Sequence, residues 1–199
     1  MEALNRTVFL MINAGAPPAP EMLLFATFLA EWLIGGAPLL LAGLWLWGTR
    51  ANRAAVFVAT ITVAFSLACN QLVGALWPHP RPFMIGLGNT FLAHRPEASF
   101  PSDHATMFFS LGLCLMQTSL PKAGGIVILL GTFVGWSRIY LGVHFPLDII
   151  GSMLVAIPST WLVLFLFARW RVGEWPLDLL ESLYRRVFAL PITKGWVRG

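Results

Sequence analysis

Charge is the scarcest property of this chain: only 11% of its 199 residues are Asp, Glu, Lys or Arg, against 57% apolar residues and a mean hydropathy of +0.74. Such a composition excludes an ordinary soluble domain, and a membrane protein is expected. Cysteine is nearly absent. Cys69 and Cys114 both fall inside apolar segments, which argues against a disulfide framework and leaves the redox compartment open. There is no internal repeat and no low-complexity tract. Nor is there a basic stripe of the kind that binds nucleic acid, so the net charge of +4 reads as a topology signal, with a share left to hold anionic headgroups. The first twenty residues, broken by Glu2, Arg6 and Asn13, lack a basic n-region followed by a long apolar stretch, so no removable signal peptide is expected.

What is present is a series of long apolar runs. Residues 22–47 are apolar except for Glu31, and 54–77 carry only Ser66, Asn70, Gln71 and two Thr as polar members. Further runs cover about 102–120, 123–140 and 147–167, each near the roughly 20 residues a bilayer core requires. Continuous apolarity over these lengths predicts helices, hence an all-α, polytopic transmembrane helix bundle of five to six spans forming a single domain. The core covers about 20–170. Residues 174–199 alternate Leu, Trp and Phe with Arg and Glu and read as an interfacial helix in preference to a sixth span. The role of the N-terminal segment, interfacial or spanning, is open at this stage, as is the oligomeric state.

Five spans place Arg50, Arg53, Lys122, Arg169, Arg171, Arg185, Arg186, Lys194 and Arg198 on one side, expected to be cytoplasmic. The other side receives Arg6, Arg81, Arg95 and Arg138 together with all four histidines, His79, His94, His104 and His144. Polar chemistry therefore collects at the outer membrane-water interface.

Three clusters converge there. In "SRIYLGVHFPLD", residues 137–148, Ser137 and Arg138 end the fourth span, and Pro146 suits the first turn of the fifth. Asp148 follows His144 by four residues and can fix which ring nitrogen carries the proton, leaving the other as base or nucleophile. Taken alone, Asp148 is better read as a first-turn acid that suits the helix dipole, and it is the combination with Arg138 that favours the functional reading. In "FPSDHA", residues 100–105, Ser102 is the natural N-cap of the third span, and free N–H groups near Asp103 make an anion site beside His104. The bland alternative is an N-cap with a surface histidine. "WPHPRP", residues 77–82, brings Arg81 into the same layer. Two arginines, a helix N-terminus and two histidines favour a tetrahedral anion held by forked hydrogen bonds from Arg81 and Arg138.

These motifs resemble the type 2 phosphatidic acid phosphatases, whose site is similar to that of vanadium-dependent haloperoxidases. That family's motifs are Lys-x6-Arg-Pro, Pro-Ser-Gly-His and Ser-Arg-x5-His-x3-Asp. The third is complete here as Ser137, Arg138, His144 and Asp148. The second reads Pro101, Ser102, Asp103, His104, with Asp for Gly, and the first keeps Arg81 and Pro82 but has Gly74 at the Lys position. The resemblance spans roughly 20–170, and "HPRPFMIGLG" with "SFPSDHATMFFS" looks most like the bacitracin-resistance type of undecaprenyl-diphosphate phosphatase.

The resemblance implies a hydrolase of polyprenyl diphosphate in a bacterial plasma membrane, with its site facing the periplasm or outside. His144 would attack phosphorus to form a phosphohistidine, Asp148 would orient it, and His104 would protonate the departing lipid phosphate. Arg81, Ser102, Ser137, Arg138 and the N–H groups near Asp103 would hold the phosphate oxygens. No metal and no cofactor are expected. A phosphatase for phosphatidic acid or phosphatidylglycerol phosphate, a lipid phosphotransferase, and a non-enzymatic carrier of anionic lipid are the alternatives. Glu31 is expected either to hydrogen-bond Asn70 and Gln71 or to form part of the site floor. His79 and Arg95 are candidates for the cation missing at Gly74.

Overall fold

The computed structural model describes residues 1–170 and 173–199; Arg171, counted above among the basic residues of one side, lies outside the described residues. Among the described residues there is no strand, and the helices are α1 (Glu2–Ile12), α2 (Pro20–Thr27), α3 (Gly36–Trp47), α4 (Arg50–Leu76), α5 (Asp103–Met116), α6 (Pro121–Tyr140), α7 (Pro146–Trp170), α8 (Glu174–Val187) and α9 (Ala189–Thr193).

Four stretches are long and apolar enough to cross a bilayer: Pro20–Trp47, α4, α6 and α7. The first joins α2 to α3 through a π turn at Phe28–Trp32 and a 3-10 turn at Leu33–Gly35. The remaining expected span, 102–120, is α5, and its 14 residues extend only about 21 Å. It can be short because it is the centre of the bundle, packed on α4, α6 and α7, with nine of its residues buried among protein instead of lipid. Its closest neighbour is α6. A Cβ on Gly124 would stand 2.4 Å from the backbone N of Met116 and 2.5 Å from the carbonyl O of Gly112, so the glycines are what let the two backbones touch. Around that contact, Ala55 and Ala59 of α4, Phe108, Leu111 and Leu115 of α5, and Val127 and Val134 of α6 form the main core.

The chain direction puts the end of α4, the start of α5, the end of α6 and the start of α7 at one end of the bundle. Arg81, His104, Arg138 and His144 all lie there, while Arg50, Arg53 and Lys122 sit at the opposite helix ends. The N-terminal segment is settled by its length: α1 has 11 residues, about 16 Å, too short to span. It lies instead against α6 and α7 at the site end, where Asn5 Oδ1 accepts from the Leu147 N–H at 3.1 Å and Phe9 packs on Phe145. At the other end, α8 is tied to the α3–α4 turn. Arg50 donates to Glu181 at 2.6 Å, and buried Arg53 lies 4.6 Å from the Tyr184 ring.

Candidate active site

Four chain segments deliver the site. The loop after α4 carries Arg81 into the 3-10 turn Pro82–Ile85, and Ser102 is the N-cap of α5, followed at once by Asp103 and His104. Arg138 occupies the last turn of α6, and Asp148 the first turn of α7. Between those helices, residues 141–145 make a tight turn through Gly142 at φ +82°, where a Cβ would lie 2.1 Å from the Asn89 carbonyl O. Only glycine fits that turn, and it is the turn that aims His144 inward. One hydroxyl links the two helix starts: Ser152 Oγ is 2.8 Å from the Ser102 carbonyl and 2.9 Å from that of Asp148.

His144 and Asp148 form a buried pair, 2% and 1% exposed, with Nδ1 3.1 Å from Asp148 Oδ2. Arg81 Nη1 lies 3.1 Å from the other ring nitrogen, Nε2. A guanidinium can only donate, so Nε2 carries the lone pair and Nδ1 carries the proton that Asp148 accepts. Burial pushes His144 down to about 4, the positive charges of Arg138 and Arg81 push the same way, and Asp148 opposes them. The imidazole is therefore neutral at neutral pH, with Nε2 the atom able to attack.

Around this pair stand buried donors with nothing to bind. Arg138 is 2% exposed, yet its Nε and Nη2 have no hydrogen-bond partner; Ser102 Oγ, fully buried, has none, and neither does Arg81 Nε. Orphaned donors and a buried cation are costly, and an anion with several oxygens would satisfy them together. In its resting arrangement Arg81 is otherwise spent on the carbonyls of Val143 and Ala98, each at 3.1 Å, and on Glu97 at 3.5 Å.

A cavity of about 310 Å³ opens onto Arg81 and His144, lined also by His94 and His104 together with Gly74, Glu97 and Asp103; Arg138 and Ser102 stand behind its wall. A larger one, about 650 Å³, lies at the opposite end beside Arg50 and Asp178 and holds none of the site residues. Asp103 extends its carboxylate to α4, where Asn70 donates at 2.9 Å and Gln71 at 3.0 Å. These two amides are thus partners of Asp103 and not of Glu31. The Glu31 carboxylate, carried on the π turn of the first span, interacts instead with the charge of Arg138. Ser137 spends its hydroxyl on the Val134 carbonyl of its own helix at 2.7 Å. Arg95 is exposed and stands outside the cavity lining, and His79 faces Glu2 at 3.7 Å across a separate cavity of about 110 Å³ behind Asp148. Gly74 is on the cavity wall, with 3.4 Å between its virtual Cβ and that of Ala98, and among the described residues no lysine lines that cavity.

Three residues absent from the sequence-derived set belong to this site. His94 lines the cavity with its ring 6.3 Å from that of His144, and burial lowers its proton affinity. Glu97 is the acid that holds Arg81. Ser99 reaches both Asp148 and His144. All three lie in the loop 78–101, where no periodicity marks a side chain as inward; only Ser99, opening "SFPSDHA", adjoined a recognisable motif. Among the described residues no three His, Cys, Asp or Glu side chains gather into a group able to hold a metal ion.

The family model that matches this chain is that of the PAP2 superfamily, over residues 54–172, a stretch that contains every one of these motifs. The chain belongs to the PAP2 superfamily. It is 40% identical over 198 residues to YbjG of Escherichia coli (strain K12), covering 100% of this chain and 99% of that one. Over 161 residues it is 34% identical to the undecaprenyl-diphosphatase BcrC of Bacillus subtilis (strain 168), with 80% of this chain and 81% of BcrC aligned. Among solved structures, the crystal structure of LpxE from Aquifex aeolicus superposes with a TM-score of 0.68 at 27% identity, covering 81% of this PAP2 chain and 94% of LpxE. The helical bundle is therefore that of a multi-pass membrane PAP2 protein.

Proposed function

We propose that this protein hydrolyses undecaprenyl diphosphate to undecaprenyl phosphate and inorganic phosphate, recycling a cell-wall lipid carrier. The observation that carries the reading is the set of unpartnered buried donors, Arg81 Nε, Ser102 Oγ and Arg138 Nε and Nη2, gathered about a neutral His144 whose proton is on the Asp148 side. Such donors are aimed at an anion with several oxygens, and the adjacent nitrogen is a nucleophile. The name of the relative BcrC supports the choice of a polyprenyl diphosphate.

In this reading Nε2 of His144 attacks the terminal phosphorus, and the bridging P–O bond breaks as the N–P bond forms. Positive charge developing on the ring is met by Asp148 through Nδ1–H. His104, on the first turn of α5, takes up a proton as the negatively charged diphosphate binds beside it, gives that proton to the departing lipid phosphate, then takes one from the water that cleaves the N–P bond and releases phosphate. Binding must also free Nε2, so an incoming phosphate oxygen draws Arg81 Nη1 away from it. Arg138, Ser102 and the first N–H groups of α5 hold the equatorial oxygens. No metal and no cofactor enter the scheme. Glu31 forms the floor of the site beneath Arg138, and residues 1–199 act as one domain. The bilayer is the setting: a bacterial plasma membrane, with the site facing the periplasm or outside and the basic helix ends facing the cytoplasm.

The test is purified protein in detergent with EDTA, offered undecaprenyl diphosphate, phosphatidic acid and phosphatidylglycerol phosphate separately while released phosphate is measured. The diphosphate is expected to give the highest kcat/KM. Binding without release would make the protein a carrier, and preference for a monophosphate lipid would replace the substrate assignment.

A further inference from the structure

We propose that Ser99 is a positioning residue of the His144–Asp148 pair, its hydroxyl donating to Asp148 and so holding the nucleophile correctly turned; this rests on the phosphohistidine reading above. Ser99 is fully buried, and its N–H is bound to the His79 carbonyl at 2.7 Å, which anchors the backbone beside the pair. Its Oγ has two neighbours, Asp148 Oδ2 within hydrogen-bond distance and His144 Nδ1 at 3.4 Å. Arg81 decides between them. Because its guanidinium donates to Nε2, the ring proton is on Nδ1, and a hydroxyl cannot donate to a nitrogen that is itself a donor. The Ser99 hydroxyl therefore donates to Asp148.

Asp148 Oδ2 then receives three donors: His144 Nδ1, Ser99 Oγ and the Phe145 N–H at 2.7 Å. Each donor lowers the electron density left for the others. With Ser99 in place, the carboxylate is fixed and the imidazole with it. Without Ser99, more of the carboxylate charge falls on Nδ1–H, and the proton affinity of Nε2 rises. The other groups facing His144 stay as they are: Arg138 from α6, His104 from α5, Arg81 and His94 from the loop. A change in the titration of His144 on altering Ser99 is thereby traceable to Asp148.

Ser99→Ala removes one oxygen and no packing volume of consequence. Losing the contact that fixes the carboxylate lets the His144–Asp148 pair turn out of line, and this misorientation is expected to lower kcat about tenfold or more, with KM within about twofold. In ¹⁵N NMR of histidine-labelled protein, with His144 assigned by its loss in His144→Ala, the His144 midpoint is expected to move up by about half a unit or more. A side chain that only packs would leave that midpoint still, so an unmoved midpoint in folded Ser99→Ala overturns the proposal, whatever kcat does. Should Ser99→Ala not fold, Ser99→Cys keeps the shape with a weaker donor, and its midpoint must move in the same direction. Wild-type protein quenched in alkaline detergent during turnover, which preserves an acid-labile phosphorus–nitrogen bond, keeps the two questions apart. Absence of a covalent phosphoenzyme there removes the phosphohistidine reading and this proposal with it, whereas its presence with an unmoved midpoint removes the role of Ser99 alone.

Discussion

Replacing Asp148 with Asn is expected to leave the fold intact and to slow the covalent step. The carboxylate oxygen Oδ2 receives His144 Nδ1 at 3.1 Å and the Phe145 N–H at 2.7 Å, besides Ser99. An Asn that turns its carbonyl oxygen toward these donors keeps every contact and loses only the charge. In the ground state that charge faces a neutral ring; in the transition state it faces an imidazolium. The difference is that between a charge-assisted hydrogen bond, about 1.5–3 kcal/mol, and a neutral one, about 0.5–1.5, hence about 1–1.5 kcal/mol, or roughly 5- to 12-fold in kcat at one decade per 1.4 kcal/mol. KM should stay within about threefold, since Asp148 stands behind the ring and away from the phosphate donors. If Asn instead turns its NH₂ toward Nδ1, the ring must move its proton to Nε2, and the loss exceeds about a thousandfold. The assay is the initial rate of phosphate release at pH 7 over a range of undecaprenyl diphosphate. A loss in kcat smaller than about threefold, or one confined to KM, would refute the assignment of Asp148 as the partner of the nucleophile.

Other consequences are equally direct. Arg138→Ala, which deletes a buried cation with two unpartnered nitrogens, should abolish phosphate release while leaving the protein folded and inserted, as judged by its thermal unfolding in detergent. The depressed proton affinity of His144 means that the ring stays neutral as pH falls through 6.5 and charges only near about 4, and a ¹⁵N midpoint near 6.5 would contradict this. Gly74→Lys adds a cation to the cavity wall where a Cβ has 3.4 Å of room, and also removes a helical glycine; KM should fall roughly three- to tenfold, with stability unchanged or higher. Glu97→Gln frees Arg81 from an acid whose side chain is 58% exposed, so a solvent-screened gain of no more than about fivefold in KM is expected. Cysteines placed at His94 and at Lys122 should be labelled from opposite sides of the membrane, and labelling of both from one side would overturn the five-span topology.

The helices and the residues at their ends were legible because a bilayer enforces long apolar runs, and functional groups must interrupt them at the ends. His104, Arg138, His144 and Asp148 stood out for that reason. The short α5 was visible as a run but not as the centre of the bundle, because burial by protein and burial by lipid look alike in sequence. Contacts between helices were harder. Asn70 and Gln71 invited pairing with Glu31 by depth alone, whereas the register of α4 against α5 gives them to Asp103. Ser137 belongs to a motif that points at phosphate, yet its hydroxyl closes on its own helix. The loop 78–101 was the least readable: the charge of Arg95 drew attention to an exposed side chain, while Glu97 and Ser99, set by a path with no period, hold the guanidinium and the carboxylate that matter.

The central claim is a covalent phosphorus–nitrogen bond on His144. Undecaprenyl diphosphate labelled with ³²P in its terminal phosphate, mixed with the protein and quenched within one turnover, should leave acid-labile, base-stable label on the protein that maps to the peptide containing His144 and is absent from His144→Ala. An unlabelled wild-type protein that still turns over, or a His144→Ala variant retaining more than about a tenth of the wild-type rate, would contradict the account, since losing a covalent nucleophile costs several powers of ten.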